Sequence, residues 1–202
     1  MNSNRMFIGL GTTCQTAYQL RRCNCYTSGF PLDWFITPFN SISDMIASRF
    51  SQLLDKENLL ATKTYWQDNQ IVLNTYYGVK IYHDFTGESI KENEYQIFYE
   101  KMKRRIQRFF FHVDNDDDIV FVVQVSAKQE STEYERLMSV LSAERKGRKY
   151  HLCICGHLLP NDELRSDISF FKFRKMPLRL AANDRWKGVD EEWDACIKRI
   201  PE

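Results

Sequence analysis

Short, nearly continuous apolar runs recur along this chain at residues 7–10, 79–82, 119–125, 151–155 and 170–173. A strand that buries one face alternates apolar and polar residues, whereas a continuous run needs cover on both faces. Between the runs, apolar residues fall at helical spacing. Residues 41–54 place Ile42, Met45, Ile46, Phe50, Leu53 and Leu54 on one side. Residues 92–110 bury Ile97, Phe98, Met102, Ile106 and Phe109 and turn Lys101, Lys103, Arg104, Arg105 and Arg108 outward, and residues 131–144 bury Tyr134, Leu137, Met138 and Leu141. A last helix is expected from about Val189 to Ile200, and another from Ala17, Tyr18 and Leu20. Strand–helix alternation predicts an α/β fold: a largely parallel sheet covered by helices on both faces. Edge strands near 71–75 and 170–176 are expected to run antiparallel. With no repeat, low-complexity tract or linker, residues 1–202 read as a single domain.

Composition narrows the function classes. A net charge of +1 recruits neither nucleic acid nor an anionic membrane by bulk electrostatics. The basic residues 101–108 are followed at once by Asp114, Asp116, Asp117 and Asp118, so they read as a solvated helix face. That acidic run lacks the glycine and distal glutamate of a calcium loop. No apolar run is long enough to cross a bilayer, and "MNSNRMF" lacks the features of a secretory signal, so a cytoplasmic location without membrane insertion is expected. The six cysteines are then expected as free thiols. His151, Cys153, Cys155 and His157 share one strand face, but neighbours at i and i+2 lie about 6.5 Å apart, too far for adjacent tetrahedral ligands. A packed strand is the better reading, and no metal is expected.

The junction "GLGTTCQTAYQLRRC", Gly9 to Cys23, carries the chemistry. A dinucleotide loop would need a third glycine where Cys14 stands, and an acid ending a second strand about 20 residues later. Neither is present. A thiol in the first helical turn instead meets unpaired N–H groups and the positive end of the helix dipole, which favour thiolate and can hold an oxyanion. Thr12, Thr13 and Gln15 flank it with polar groups. Of the four histidines, His83 follows an apolar strand and is the best-placed base; His112 ends a basic helix and is expected to be exposed.

"GLGTTCQTAYQLRR", "SGFPLDWF", "YHDF" and "RWKGVDEEW" together resemble a bacterial family of putative papain-like cysteine peptidases. The motif positions include Gly11, Cys14, Ala17, Leu20, Pro31, Asp33, Trp34, His83, Asp84, Phe85, Trp186 and Trp193, with Leu32 where the family usually has Phe. The resemblance implies a cysteine hydrolase acting on a peptide or acyl substrate without metal or organic cofactor. Cys14 would be its nucleophile and His83 its general base, with Asp33 or Asp84 orienting the imidazole. Thr13, Gln15 and Trp34 would serve the oxyanion or the substrate. Papain carries an oxyanion glutamine shortly before its cysteine; here that stretch is apolar, so Gln15, Gln19 or backbone N–H groups would replace it. Two other readings keep different parts of the pattern: a Cys14-dependent acyltransferase acting on cell-surface glycans, and a non-catalytic module whose groove is lined by Trp34, Trp186 and Trp193.

Overall fold

The run at residues 119–125 becomes the middle of the molecule because both of its faces are covered. The computed structural model describes residues 5–25, 28–159, 161–175 and 182–201. In chain order the elements are β1 (Met6–Gly9), α1 (Cys14–Arg22), β2 (Phe35–Ile36), α2 (Phe39–Ala47), β3 (Leu59–Trp66), β4 (Asn69–Asn74) and β5 (Val79–Ile81). There follow α3 (Glu92–Asn115), β6 (Ile119–Gln124), α4 (Ser131–Glu144), β7 (His151–Gly156), β8 (Glu163–Leu164), β9 (Ile168–Lys172) and α5 (Asp190–Lys198). The main sheet has the order β1-β6-β7-β9-β8. β1, β6, β7 and β9 run parallel, and β8 closes the edge antiparallel to β9.

Side-chain alternation divides the core. Ile119, Phe121 and Val123 of β6 join Ile8, Leu152 and Ile154 beneath α2, α3 and α4. Val120 and Val122 face the other way with Phe7, Cys153 and Cys155, under Leu20 of α1 and Trp193, Cys196 and Ile197 of α5. The sheet therefore has helices on both faces, as the continuous runs require.

Some segments depart from the expected pattern. Of the run at 79–82, residues 79–81 lie in a second, wholly antiparallel sheet of order β2-β5-β4-β3, and Tyr82 lies beyond the strand. Its inner face enters the larger core through Phe35, Val72, Val79 and Ile81. β9 is parallel to its β7 neighbour rather than antiparallel; Met176, in the stretch expected to be an edge strand, lies outside the described residues. α2 stops at Ala47 because Arg49 and Phe50 turn left-handed, with φ of 53° and 59°, and this reversal swings Phe50 fully into the core. α3 runs on to Asn115 so that Phe110 and Val113 can also be buried.

Candidate active site

The chain leaves β1 through Gly11, where a Cβ would stand 2.9 Å from the Leu32 carbonyl oxygen; only glycine lets the turn pass under that loop. Beyond it two threonines fasten the turn to the end of β6. Thr12 Oγ1 donates to the Gln124 carbonyl, and Thr13 Oγ1 donates to Gln124 Oε1 at 2.9 Å. Thr13 is also the N-cap of α1, accepting from the Gln15 N–H at 3.3 Å. Cys14 is thereby fixed as the first residue of α1, at the carboxyl end of two adjacent parallel strands. Function gathers at this edge of an open α/β sheet.

Burial pushes the Cys14 thiol up to about 11, while its own backbone N–H pulls the other way. The lowering expected from the helix terminus is thus outweighed by desolvation, and the resting side chain is a thiol at neutral pH.

The antiparallel sheet and its turns contribute to the same cleft as Cys14. The cleft, of about 930 Å³, is lined by Ile36, Trp66, Gln67, Tyr82 and His83 from that part of the chain, by Thr13, Cys14, Gln15, Gln124 and Ser126 from the ends of β1 and β6, and by Trp34 and Trp186. The Tyr82 phenol is raised first by burial and then by its proximity to Cys14. β5 has ended at Ile81, so His83 and Asp84 are free of the strict alternation of a strand. The His83 ring meets Trp34 edge to face at 6.1 Å, and Trp34 meets Trp186 at 6.3 Å. Burial, and then Lys101, lower the His83 pKa, so its imidazole is neutral at pH 7 and able to accept a proton. Among the described residues no hydrogen bond joins His83 to Cys14, Asp33 or Asp84.

The two candidate acids have other partners. Asp84 forms an ion pair with Lys101. Asp33 is 2% exposed and its Oδ2 accepts from the Phe30 N–H at 2.6 Å, holding together the Pro31-Leu32-Asp33-Trp34 loop. That loop places Trp34 at φ 70°, a left-handed conformation that costs a bulky residue about 1–3 kcal/mol and persists only where its surroundings over-determine it. Arg21 over the Trp34 ring at 5.7 Å, together with His83 and Trp186, supplies such surroundings. Asp33→Ala is expected to lower stability by about 1–3 kcal/mol, the cost of orphaning the buried Phe30 N–H. Denaturant midpoints measure it; an unchanged midpoint would show that the carboxylate does not hold the loop.

Gln15 and Gln19 lace the far end of the chain onto α1. Gln15 Nε2 donates to the Trp186 carbonyl at 2.9 Å, and its Oε1 accepts from Trp193 Nε1 at 3.3 Å. Gln19 is fully buried and donates to the Lys187 carbonyl at 2.7 Å and to Asp190 Oδ1 at 2.9 Å. Of the three tryptophans expected in a groove, Trp34 and Trp186 line the cleft, whereas Trp193 is fully buried in the core; sequence reasoning did not identify Gln124, Asp184 or Lys187 as cleft-lining. The signal for Gln124 is its amide at the end of an otherwise apolar strand.

The remaining histidines and cysteines lie elsewhere. His112 is half-buried, with Nδ1 2.8 Å from Asp116 Oδ2. His151 meets Ser169 Oγ at 2.8 Å, and His157 meets the Phe173 carbonyl at 3.1 Å. Cys153, Cys155 and Cys196 are buried together. Among the described residues no group of three or more His, Cys, Asp or Glu side chains is arranged to hold a metal, and no helix is long and apolar enough to cross a membrane.

Comparison with known proteins adds three findings. The model of a family described as "Putative papain-like cysteine peptidase (DUF1796)" matches residues 5–156. "Uncharacterized protein R408" of Acanthamoeba polyphaga mimivirus is 29% identical over 139 residues, covering 60% of this chain and 62% of that protein. The chain thus spans less than two thirds of the length of this curated relative. No solved structure matches. The matched region holds Cys14, Asp33, Trp34, His83 and Asp84, and it ends before the Asp184–Lys187 side of the cleft.

Proposed function

This chain belongs to the putative papain-like cysteine peptidase family, and from that premise we propose that it is a cysteine hydrolase with Cys14 as nucleophile and His83 as general base. The observation that carries the reading is that both side chains line one cleft. The resting pair is thiol and neutral imidazole rather than an ion pair, because burial raises one group and lowers the other. His83 then takes the proton as Cys14 Sγ bonds to the acyl carbon, and N–H groups at the start of α1 hold the oxyanion. The imidazolium returns the proton to the leaving group. A water deprotonated by His83 next attacks the thioester, and Cys14 leaves as the thiol.

The two acids act through position. Asp33 holds the loop that presses Trp34 against the His83 ring. Asp84 neutralises Lys101, whose uncompensated charge would oppose formation of the imidazolium.

His83→Gln tests the pairing. Hydrolysis of an activated thioester is expected to fall by about 10²–10⁴-fold, the usual contribution of general acid–base catalysis, with the melting temperature unchanged because His83 lies beyond the end of β5 and makes none of the described hydrogen bonds. Alkylation of wild-type Cys14 by iodoacetamide is expected to climb with pH through the neutral range toward its pKa of about 11. Equal hydrolysis by the two proteins would remove His83 from the reaction.

A further inference from the structure

Beyond Trp34 the cleft continues into a strongly basic recess. A small pocket lined by Asp33, Trp34, His83, Asp84, Lys101 and Arg105 lies between the cleft, with which it shares Trp34 and His83, and a second pocket of about 380 Å³, with which it shares Lys101 and Arg105. Arg21, Arg104, Arg108, Ser28 and Gly29 complete the lining of the second pocket, which holds no carboxylate. On α3 these cations recur three and four residues apart, so their side chains rise from one face of the helix. That face is only in part the solvated surface expected from the sequence: Arg104 is exposed, whereas Lys101 is half-buried. Arg105 and Arg108 are half-buried: Arg108 Nη1 donates to the Gly29 carbonyl at 2.6 Å, and Arg105 Nη1 reaches toward the Asp33 carbonyl at 3.5 Å. Bonds to neutral carbonyls orient a guanidinium without cancelling its charge. Lys101 is offset by Asp84, whereas among the described residues no carboxylate pairs with Arg104, Arg105 or Arg108.

Like charges at this spacing disfavour a helix, and an anion in the recess relieves them. Guanidinium forks suit phosphate oxygens bidentately, and several converging on one recess favour a dianion over a single carboxylate. The recess is bordered by Ser28 and Gly29, and its volume of about 380 Å³ matches a small anionic group. We infer that it is a subsite for the phosphate or pyrophosphate group of a small substrate whose acyl end reaches Cys14. This specifies a substrate class for the proposed hydrolase and rests on that reading.

Titrating inorganic pyrophosphate into the intact protein at low salt, followed by calorimetry, tests the subsite. One saturable site is expected, weakened at least about tenfold by Arg104→Gln, the loss expected for one charge-assisted contact. Arg104 is exposed and makes none of the described hydrogen bonds, so its replacement leaves the fold intact. Lys103→Gln, an exposed cation on the same helix but outside the recess, is expected to leave binding unchanged. Cys14→Ala is expected to bind pyrophosphate as the wild type does, which separates this inference from the nucleophile assignment. Pyrophosphate is also expected to inhibit hydrolysis of a phosphate-bearing thioester competitively. Absence of saturable binding overturns the subsite even if a neutral thioester is hydrolysed. Equal weakening by Lys103→Gln overturns it in favour of diffuse helix charge, and affinity for single-stranded oligonucleotides that grows with their length overturns it in favour of a nucleic-acid surface.

Discussion

Cys14→Ala is expected to bring acyl hydrolysis down by about 10⁴–10⁶-fold, the loss seen when the nucleophile of a concerted catalytic group is removed. The melting temperature is expected to stay at the wild-type value. Cys14 stands at the first position of α1, half-buried at the cleft surface, and alanine suits a helix better than cysteine does. The Thr13 cap and the Thr12 and Thr13 bonds to Gln124 do not involve the sulfur, so the turn keeps its shape. Cys14→Ser is expected to be nearly as inactive, because a hydroxyl in this buried position ionises far less readily than a thiol already raised to about 11. Steady-state hydrolysis of an activated thioester, with thermal melts on the same samples, makes the measurement. Turnover persisting in Cys14→Ala would place the nucleophile elsewhere.

Trp193→Ala carries the largest expected loss of stability, about 3–5 kcal/mol, as for a large aromatic side chain deleted from a packed core. Trp193 is 0% exposed and packs against Phe173 at 5.4 Å between ring centres, beneath the face of the sheet formed by Val120, Val122 and Cys153. Its indole N–H also donates to Gln15 Oε1, so the deletion removes a cavity-filling ring and one of the bonds holding Gln15. Trp193→Phe retains most of the ring and loses only that bond, and its expected cost is about 1 kcal/mol. Equilibrium denaturation gives both values. If Trp193→Ala costs no more than Trp193→Phe, α5 does not dock on the sheet as described.

How much of this was legible in the sequence depended on whether the signal was local. The run at 119–125 and the helical spacing at 131–144 each depend on neighbours within one element, and both elements formed where expected. The second sheet was missed for a physical reason. β3 has almost no buried side chains, and β2 has only two residues, so neither presents an apolar pattern. Val79-Lys80-Ile81 does alternate, with Lys80 exposed between buried neighbours, which is the mark of a one-faced sheet; Tyr82 extended the run and concealed it. Cys14 and His83 could be singled out because each sits at an abrupt change from apolar strand to polar residues. The partners of Gln15, Gln19 and Asp84 could not, since a carbonyl, a ring nitrogen or an ammonium group elsewhere in the chain leaves no periodic trace.

The lacing of Gln15 to Trp186 spans 171 residues, and it sets the order in which the cleft becomes complete. At a synthesis rate of about 5–20 residues per second, on the order of ten to thirty seconds separate the emergence of the two partners from the ribosome. Through that interval the nascent chain carries Cys14 with part of the cleft lining unbuilt, lacking Asp184, Trp186 and Lys187. Translation itself therefore delays completion of the cleft until the rest of the sheet has been made.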